Sequence, residues 1–322
     1  MKNPQNKITN NFVYNAIKEQ LGLILGFAIL CVALAIMSPV FLSSRNMFNI
    51  LRQLSTNMFL SCGMLMVILL GGIDLSVGST IAVTGCLVAG FITNNAMPPM
   101  VAIILSLLIG LLFGIISGAI IATTNIPPFI ISLAMMNIGR GIARLYTNSK
   151  TISINNDFFG FIGTGYIGII PTQVFYIIIV CIITWLILNK TKTGRNIYAT
   201  GGNMTAAKFG GINTRAVTFF VYVFSSLMAS FAGILLASRM FSGTSTAGTS
   251  AEMDAIAAVV LGGTSMGGGV GTLFGTIIGV VLIAVLSNGM NLMGIDSSWQ
   301  LVVKGIVILI AVYIDYLKKQ RA

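Results

Sequence analysis

Between Gln53 and Pro98 the chain carries a single charged residue, Asp74, and comparable charge-free runs recur from Leu21 to Tyr316. A helix that spans a bilayer needs about 20 predominantly apolar residues, and runs of that length are too numerous here to share one buried core. Only 8% of the residues are charged, against roughly 25% in soluble domains, so lipid is the solvent that this sequence fits. The 322 residues leave room for about ten spans and no large soluble domain. The expected fold is all-α: a polytopic membrane helix bundle of about ten transmembrane helices, or about eight if two short segments are re-entrant.

The polar, asparagine-rich stretch 1–20 precedes a first run from Leu21 to about Leu42 that lacks a small-residue cleavage pattern. It reads as a retained helix, not a signal peptide. Two spans joined at 71–79 occupy 53–98, and a fourth covers 100–123, where Ser106, Gly110, Gly114, Ser117 and Gly118 put small residues on one face for close helix packing. After Pro127-Pro128 a shorter, Pro-broken fifth span ends at Gly139, stopped by Arg140 and Arg144. Residues 145–170 read as an external loop or interfacial segment. Further spans are expected at 171–188, 216–237, 272–292 and 299–316, with a very short apolar run at 255–261. Lys304, near the start of the last span, is expected to snorkel.

The segment 190–215 holds Lys190, Lys192, Arg195, Lys208 and Arg215 with no acidic residue, which marks it as cytoplasmic. An even number of crossings then puts both termini in the cytoplasm and leaves Arg140, Arg144 and Lys150 outside. The expected division is a cytoplasmic tail at 1–20, a transmembrane domain at 21–316 and a basic cytoplasmic tail at 317–322.

The formal net charge of +11 is scattered between apolar runs without the aromatic and basic platform that binds single strands, so nucleic acid is excluded as a partner. There is no histidine, which removes HExxH zinc sites and Ser/His/Asp triads. The four cysteines, Cys31, Cys62, Cys86 and Cys181, lie in apolar runs without CxxC spacing and read as packing residues. No GxxxxGK[ST] loop, paired membrane carboxylates or GxSxG elbow is present. No cofactor, metal or catalytic residue is therefore expected, and energy for uphill transport must come from a gradient or a separate ATPase.

Two glycine pairs break apolar sequence at comparable places in the two halves, Gly71-Gly72 and Gly262-Gly263-Thr264. Broken helices in matching positions point to a translocation path, because irregular backbone at membrane depth persists only where protein or water satisfies it. Ordinary tight turns are the alternative. Asp74 is either a ligand in that path, as intramembrane carboxylates often are, or a cap for the next helix. Ser76, Gly78, Ser79, Asn125, Phe129 and Asn137 are further candidates for the path. A short helix at 205–209, bracketed by Gly201-Gly202 and Gly210-Gly211, suits a docking element on the cytoplasmic face.

Three segments in order, GGIDLSVGS at 71–79, GGNMTAAKFGGIN at 201–213 and EMDAIAAVVLGGTSMGGGVG at 252–271, resemble the permease subunits of binding-protein-dependent ABC sugar importers of the ribose type. The likeness runs from about residue 21 to 316. It implies a bacterial inner-membrane permease, usually paired as a homodimer, that receives a monosaccharide from an extracytoplasmic binding protein and is driven by a cytoplasmic ABC ATPase. It also implies an ATPase-coupling loop made of Gly201, Gly202, Asn203, Thr205, Ala206, Ala207, Lys208, Gly210, Gly211 and Ile212. Met204 and Thr205 stand where an acidic residue often precedes the alanine pair. Arg140, Arg144, Lys150, Glu252 and Asp254 are candidate rim charges for the binding protein. The alternative is an autonomous secondary transporter or channel for a small polar solute.

Overall fold

The computed structural model describes residues 21–320; the expected tail at 1–20 and residues 321–322 lie outside them. The described chain is built from α1 (Leu21–Met37), α2 (Ser44–Leu69), α3 (Val77–Thr93), α4 (Pro99–Thr123), α5 (Pro128–Thr147), α6 (Asp157–Thr164), α7 (Thr172–Lys190), α8 (Lys192–Gly202), α9 (Met204–Phe209), α10 (Thr214–Met240), α11 (Ala251–Leu261), α12 (Leu273–Leu292) and α13 (Ser297–Gln320). Four two-residue strands, β1 (Ile152–Ser153), β2 (Tyr166–Ile167), β3 (Ile170–Pro171) and β4 (Ser242–Gly243), form the antiparallel pairs β1–β4 and β2–β3. Among the described residues, α4, α7, α10 and α12 are each long and apolar enough to cross a membrane.

Contacts between element ends sort the chain into a bundle with two ends. At one end the Gly269 amide donates to the Leu69 carbonyl at 2.9 Å, joining the close of α2 to the segment after α11. At the other end the Thr93 hydroxyl donates to the Ser153 carbonyl, and Asn46 and Asn288 exchange two amide hydrogen bonds of 2.9 Å between α2 and α12. Among the described residues the passes between these ends are α1, α2, 70–76 with α3, α4, α5, α7, α10, 242–250 with α11, α12 and α13, which makes ten. Two of them begin as irregular backbone, so α11, with 11 residues, covers only about half of a bilayer core.

The long, buried helix α10 is the centre of the bundle and packs against α2, α3 and α4. Its fit to α4 depends on the small face of that helix: Ser106, Gly110, Gly114, Ser117 and Gly118 are all buried, as their spacing predicts. A Cβ at Gly114 would lie 2.6 Å from Ser226 Cβ, and the Ser226 hydroxyl donates to the Gly110 carbonyl at 2.8 Å. The opposite face of α4 exposes Ile104, Leu108, Leu112 and Ile116, as a lipid-facing stripe requires.

Two expectations are corrected. The fifth span does not stop at Gly139: α5 continues through Arg140 and Arg144 to Thr147, because one guanidinium nitrogen of Arg140 donates to the Ser245 and Ala247 carbonyls at 2.7 Å each. The segment before the docking helix is also regular. Thr191 caps α8 by accepting from the Gly194 amide, so Gly201 and Gly202 close an 11-residue helix instead of opening a loop.

Candidate functional site: the glycine junction and its docking helix

The first break begins where α2 ends. The Gly71 and Gly72 amides donate back to Ile68 and Val67, and Gly71 has φ +77°, a conformation that glycine adopts without steric cost. Asp74 then turns the chain into α3. Only 1% of it is exposed; one carboxylate oxygen accepts from the Ser76 amide (3.0 Å) and hydroxyl (2.6 Å), the other from the Ser225 hydroxyl (2.8 Å). Both oxygens are engaged in holding the turn and tying it to the middle of α10. These bonds fix the turn ahead of α3 and are not a cap, since Ser76 occupies the cap position and α3 has no side-chain cap bond. Ser79 donates to the Ser76 carbonyl within the first turn of α3.

The second break has two parts. Before α11, residues 244–250 run past α3, held by the Arg140 bonds; after it, Gly262-Gly263-Thr264 and the glycines to 271 turn back into α12. Gly262 packs on the Gly275 backbone and buried Thr264 on Gly271. Glu252 and Asp254 lie in the first turn of α11 and are not rim charges. Glu252 is buried beside Gly78, and Asp254 accepts from Lys304 at 2.8 Å. The amine of Lys304 thus turns into the bundle to pair with a carboxylate and does not snorkel.

The two breaks meet. A Cβ on Gly71 would lie 3.5 Å from the Gly267 carbonyl oxygen, and one on Gly268 would lie 3.1 Å from the Leu69 carbonyl and 2.8 Å from the Gly201 carbonyl. A Cβ on Gly269 would lie 2.6 Å from the Gly202 Cα, and one on Gly201 would collide with the Leu69 carbonyl. The Tyr198 hydroxyl adds a 2.9 Å hydrogen bond from α8 to the Gly271 carbonyl. The three glycine-bearing segments singled out in the sequence therefore converge on one junction, in which backbone lies against backbone.

From this junction hangs α9. The Asn203 side chain caps it by accepting from the Ala206 amide at 2.9 Å, and Gly210-Gly211 ends it, with Gly211 at φ +79° and the Ile212 amide returning to the Ala207 carbonyl. Ala207 is buried, whereas Thr205, Ala206, Lys208, Gly210 and Gly211 are exposed. Phe209 is 89% exposed. A solvated phenylalanine at the tip of a six-residue helix marks a contact surface; the sequence reading missed it because an aromatic after Lys208 is indistinguishable from a packing residue before the helix orientation is known.

Of the remaining path candidates, Asn125 lines a cavity together with Gly71 and Gly72. Phe129 and Asn137 do not join them. Both are exposed on the outer face of α5, whose inner face supplies the Ser132 hydroxyl to the Ile73 carbonyl. At the bundle end opposite α9, Arg52 donates to the Tyr166 hydroxyl and stacks on its ring at 5.0 Å, with Arg45 beside it, a basic cluster that the sequence reading did not single out.

A bundle whose passes are broken at matching glycines, with a short capped helix docked on the break, defines a membrane transport subunit. The chain belongs to the family of permease components of the branched-chain amino acid transport system type, which matches residues 46–312. It is 45% identical over 304 residues to the ribose import permease protein of Bacillus subtilis strain 168, covering 94% of each chain. The ribose import permease protein of Escherichia coli K12 is 43% identical over 306 residues, again 94% of each. The galactose/methyl galactoside import permease protein of Salmonella typhimurium LT2 is 35% identical over 316 residues, 92% of this chain and 94% of the other. No solved structure matches the chain.

Proposed function

We propose that the chain is the permease subunit of a binding-protein-dependent ABC importer of monosaccharides in the bacterial inner membrane, with ribose the first sugar to test. The carrying observation is the junction of Leu69–Gly71, Gly267–Gly269 and Gly201-Gly202, to which α9 is fixed. An ATPase that moves α9 from the cytoplasm moves α8 with it, and backbone contact passes that displacement to both broken passes. Gly201 through Ile212 is then the coupling element, with Phe209 and Ala206 facing the ATPase and Ala207 facing the bundle.

This reading makes the α9 end cytoplasmic, and with it both termini. The opposite end presents Arg45, Arg52, exposed Arg144 and exposed Lys150, a basic rim suited to acidic groups on an extracytoplasmic binding protein. The polar Asn137 on the outer face of α5 suits contact with a second copy across a homodimer interface better than contact with lipid, which offers an amide no hydrogen bond. The sugar preference rests on the relatives named above.

The test is uptake of labelled ribose and galactose into proteoliposomes, with and without the ATPase, the binding protein and ATP. Accumulation only when all are present is the expected result. Phe209→Ala should lower uptake by about tenfold or more, as loss of an interface hot spot does, while the chain still melts as the parent does. Gradient-driven uptake by this chain alone would make it an autonomous transporter and remove the coupling role of 201–212.

A further inference from the structure

A cavity of about 390 Å³ opens at the α9 end of the bundle, between the first break, the α4–α5 turn, α9 and the first turns of α10. Its volume is that of a small-molecule site. Its lining is mixed: Leu70, Ile121 and Ile126 give apolar wall, while Asn125, Thr214 and Thr218 bring polar side chains. Lys208 from α9 and Arg215 from α10 also line it, and among the described residues neither is paired with a carboxylate. No acidic residue lines it.

The second observation is Tyr222. It lines the cavity beside Gly72, only 1% of it is exposed, and its hydroxyl has no hydrogen-bond partner among the described residues. A buried hydroxyl without a partner costs about 1–3 kcal/mol and is therefore normally satisfied by protein, water or ligand. Two cations at the mouth and an unsatisfied hydroxyl close behind the Gly72 wall, with amide and threonine groups between them, are complementary to a molecule with a phosphate at one end and hydroxyls at the other.

We propose that this cavity binds a phosphorylated polyol, the phosphate held by Lys208 and Arg215 and a hydroxyl by Tyr222. The chemistry is shared by two sources, a free sugar phosphate and the glycerophosphate headgroup of an anionic lipid, since basic pockets between membrane helices also take headgroups. Because the walls come from α9 and from the first break, a bound ligand bridges the docking helix to the glycine junction. The inference needs neither the proposed sugar nor the proposed ATPase.

The experiment uses the full chain in nanodiscs. In neutral phosphatidylcholine discs, ribose 5-phosphate and glycerol 3-phosphate are titrated calorimetrically against unphosphorylated ribose; in a parallel arm, native mass spectrometry counts phosphatidylglycerol retained by the chain. Saturable binding of the phosphates, weakened at least tenfold by Arg215→Gln and several-fold by Tyr222→Phe, supports the free-ligand form. Retention of phosphatidylglycerol alone, reduced by the same two variants, supports the lipid form. Binding of unphosphorylated ribose equal to that of its phosphate, absence of binding in both arms, or binding unchanged in both variants overturns the proposal. Tyr222→Phe removes only the hydroxyl, so folding of that variant is not at issue, and melting of Arg215→Gln beside the parent separates lost binding from lost structure.

Discussion

The two broken passes look alike in sequence and are held in different ways. The first is closed locally: Asp74 accepts two bonds from Ser76, two residues ahead, and a third from Ser225 on α10. The second is held internally by backbone and hydroxyl bonds, such as the Ser265 amide to the Val270 carbonyl and the Thr249 hydroxyl to the Thr246 carbonyl, with no carboxylate gathering them. Its approach to α11 is held by Arg140 from α5, and α11 itself by Lys304 from α13, both far away in sequence. A break sealed by its own residues is stiff wherever the neighbouring helices go. One fastened by distant helices moves with them, and in a transporter driven from one end the second kind is the part that can shift.

The comparison predicts a ranking of damage. Lys304→Met should be the most harmful change, because it leaves the Asp254 carboxylate in the bundle without its partner; breaking such a pair costs about 3–5 kcal/mol. Melting in detergent, followed by near-ultraviolet circular dichroism, checks it. The double variant Lys304→Met, Asp254→Leu should recover most of the loss, since no unpaired charge remains. Asp74→Ala comes next, at about 2–3 kcal/mol, as it strands the Ser76 and Ser225 donors away from water, whereas Asp74→Asn keeps an acceptor and should cost about half of that. If Asp74→Ala proved worse than Lys304→Met, the local seal would be the dominant one and the contrast would be inverted.

How much of this was legible in the sequence follows from the same contrast. The positions of both breaks were visible because glycine pairs in apolar sequence have local consequences, and the α4 face was visible because small residues at helical spacing must meet something. The short helix α9 was visible from its bracketing glycines. The partner of Lys304 was not, since nothing local distinguishes a lysine that snorkels from one that turns inward to Asp254, 50 residues back. Nor was the extension of α5: two arginines resemble a stop signal until the carbonyls of Ser245 and Ala247 are seen beside Arg140. The convergence of three glycine segments was likewise hidden, because spacing along a chain says nothing about which backbones touch.

Arg140→Met tests the approach to α11 at a smaller scale. It removes two charge-assisted bonds to carbonyls but leaves the helix and its apolar stem intact, so a loss of about 2 kcal/mol is expected. Hydrogen exchange should rise at 244–250 and stay unchanged at 70–76. A rise at both breaks would mean that they are fastened to each other more strongly than to the surrounding helices.

The smallest effect separates the cavity wall from both seals. Tyr222 sits where the first break meets α10, yet its hydroxyl bonds to nothing among the described residues, while Ser225, one turn further on, holds Asp74. Ser225→Ala should therefore destabilise by about 1 kcal/mol. Tyr222→Phe, in neutral lipid without added phosphate, should leave stability unchanged or raise it by about 0.5–1 kcal/mol, because an unsatisfied buried hydroxyl is removed and the ring is kept. Melting of the two variants side by side checks the sign. A loss in Tyr222→Phe comparable to that in Ser225→Ala would mean that the hydroxyl is satisfied in the resting protein and belongs to the local seal of the first break.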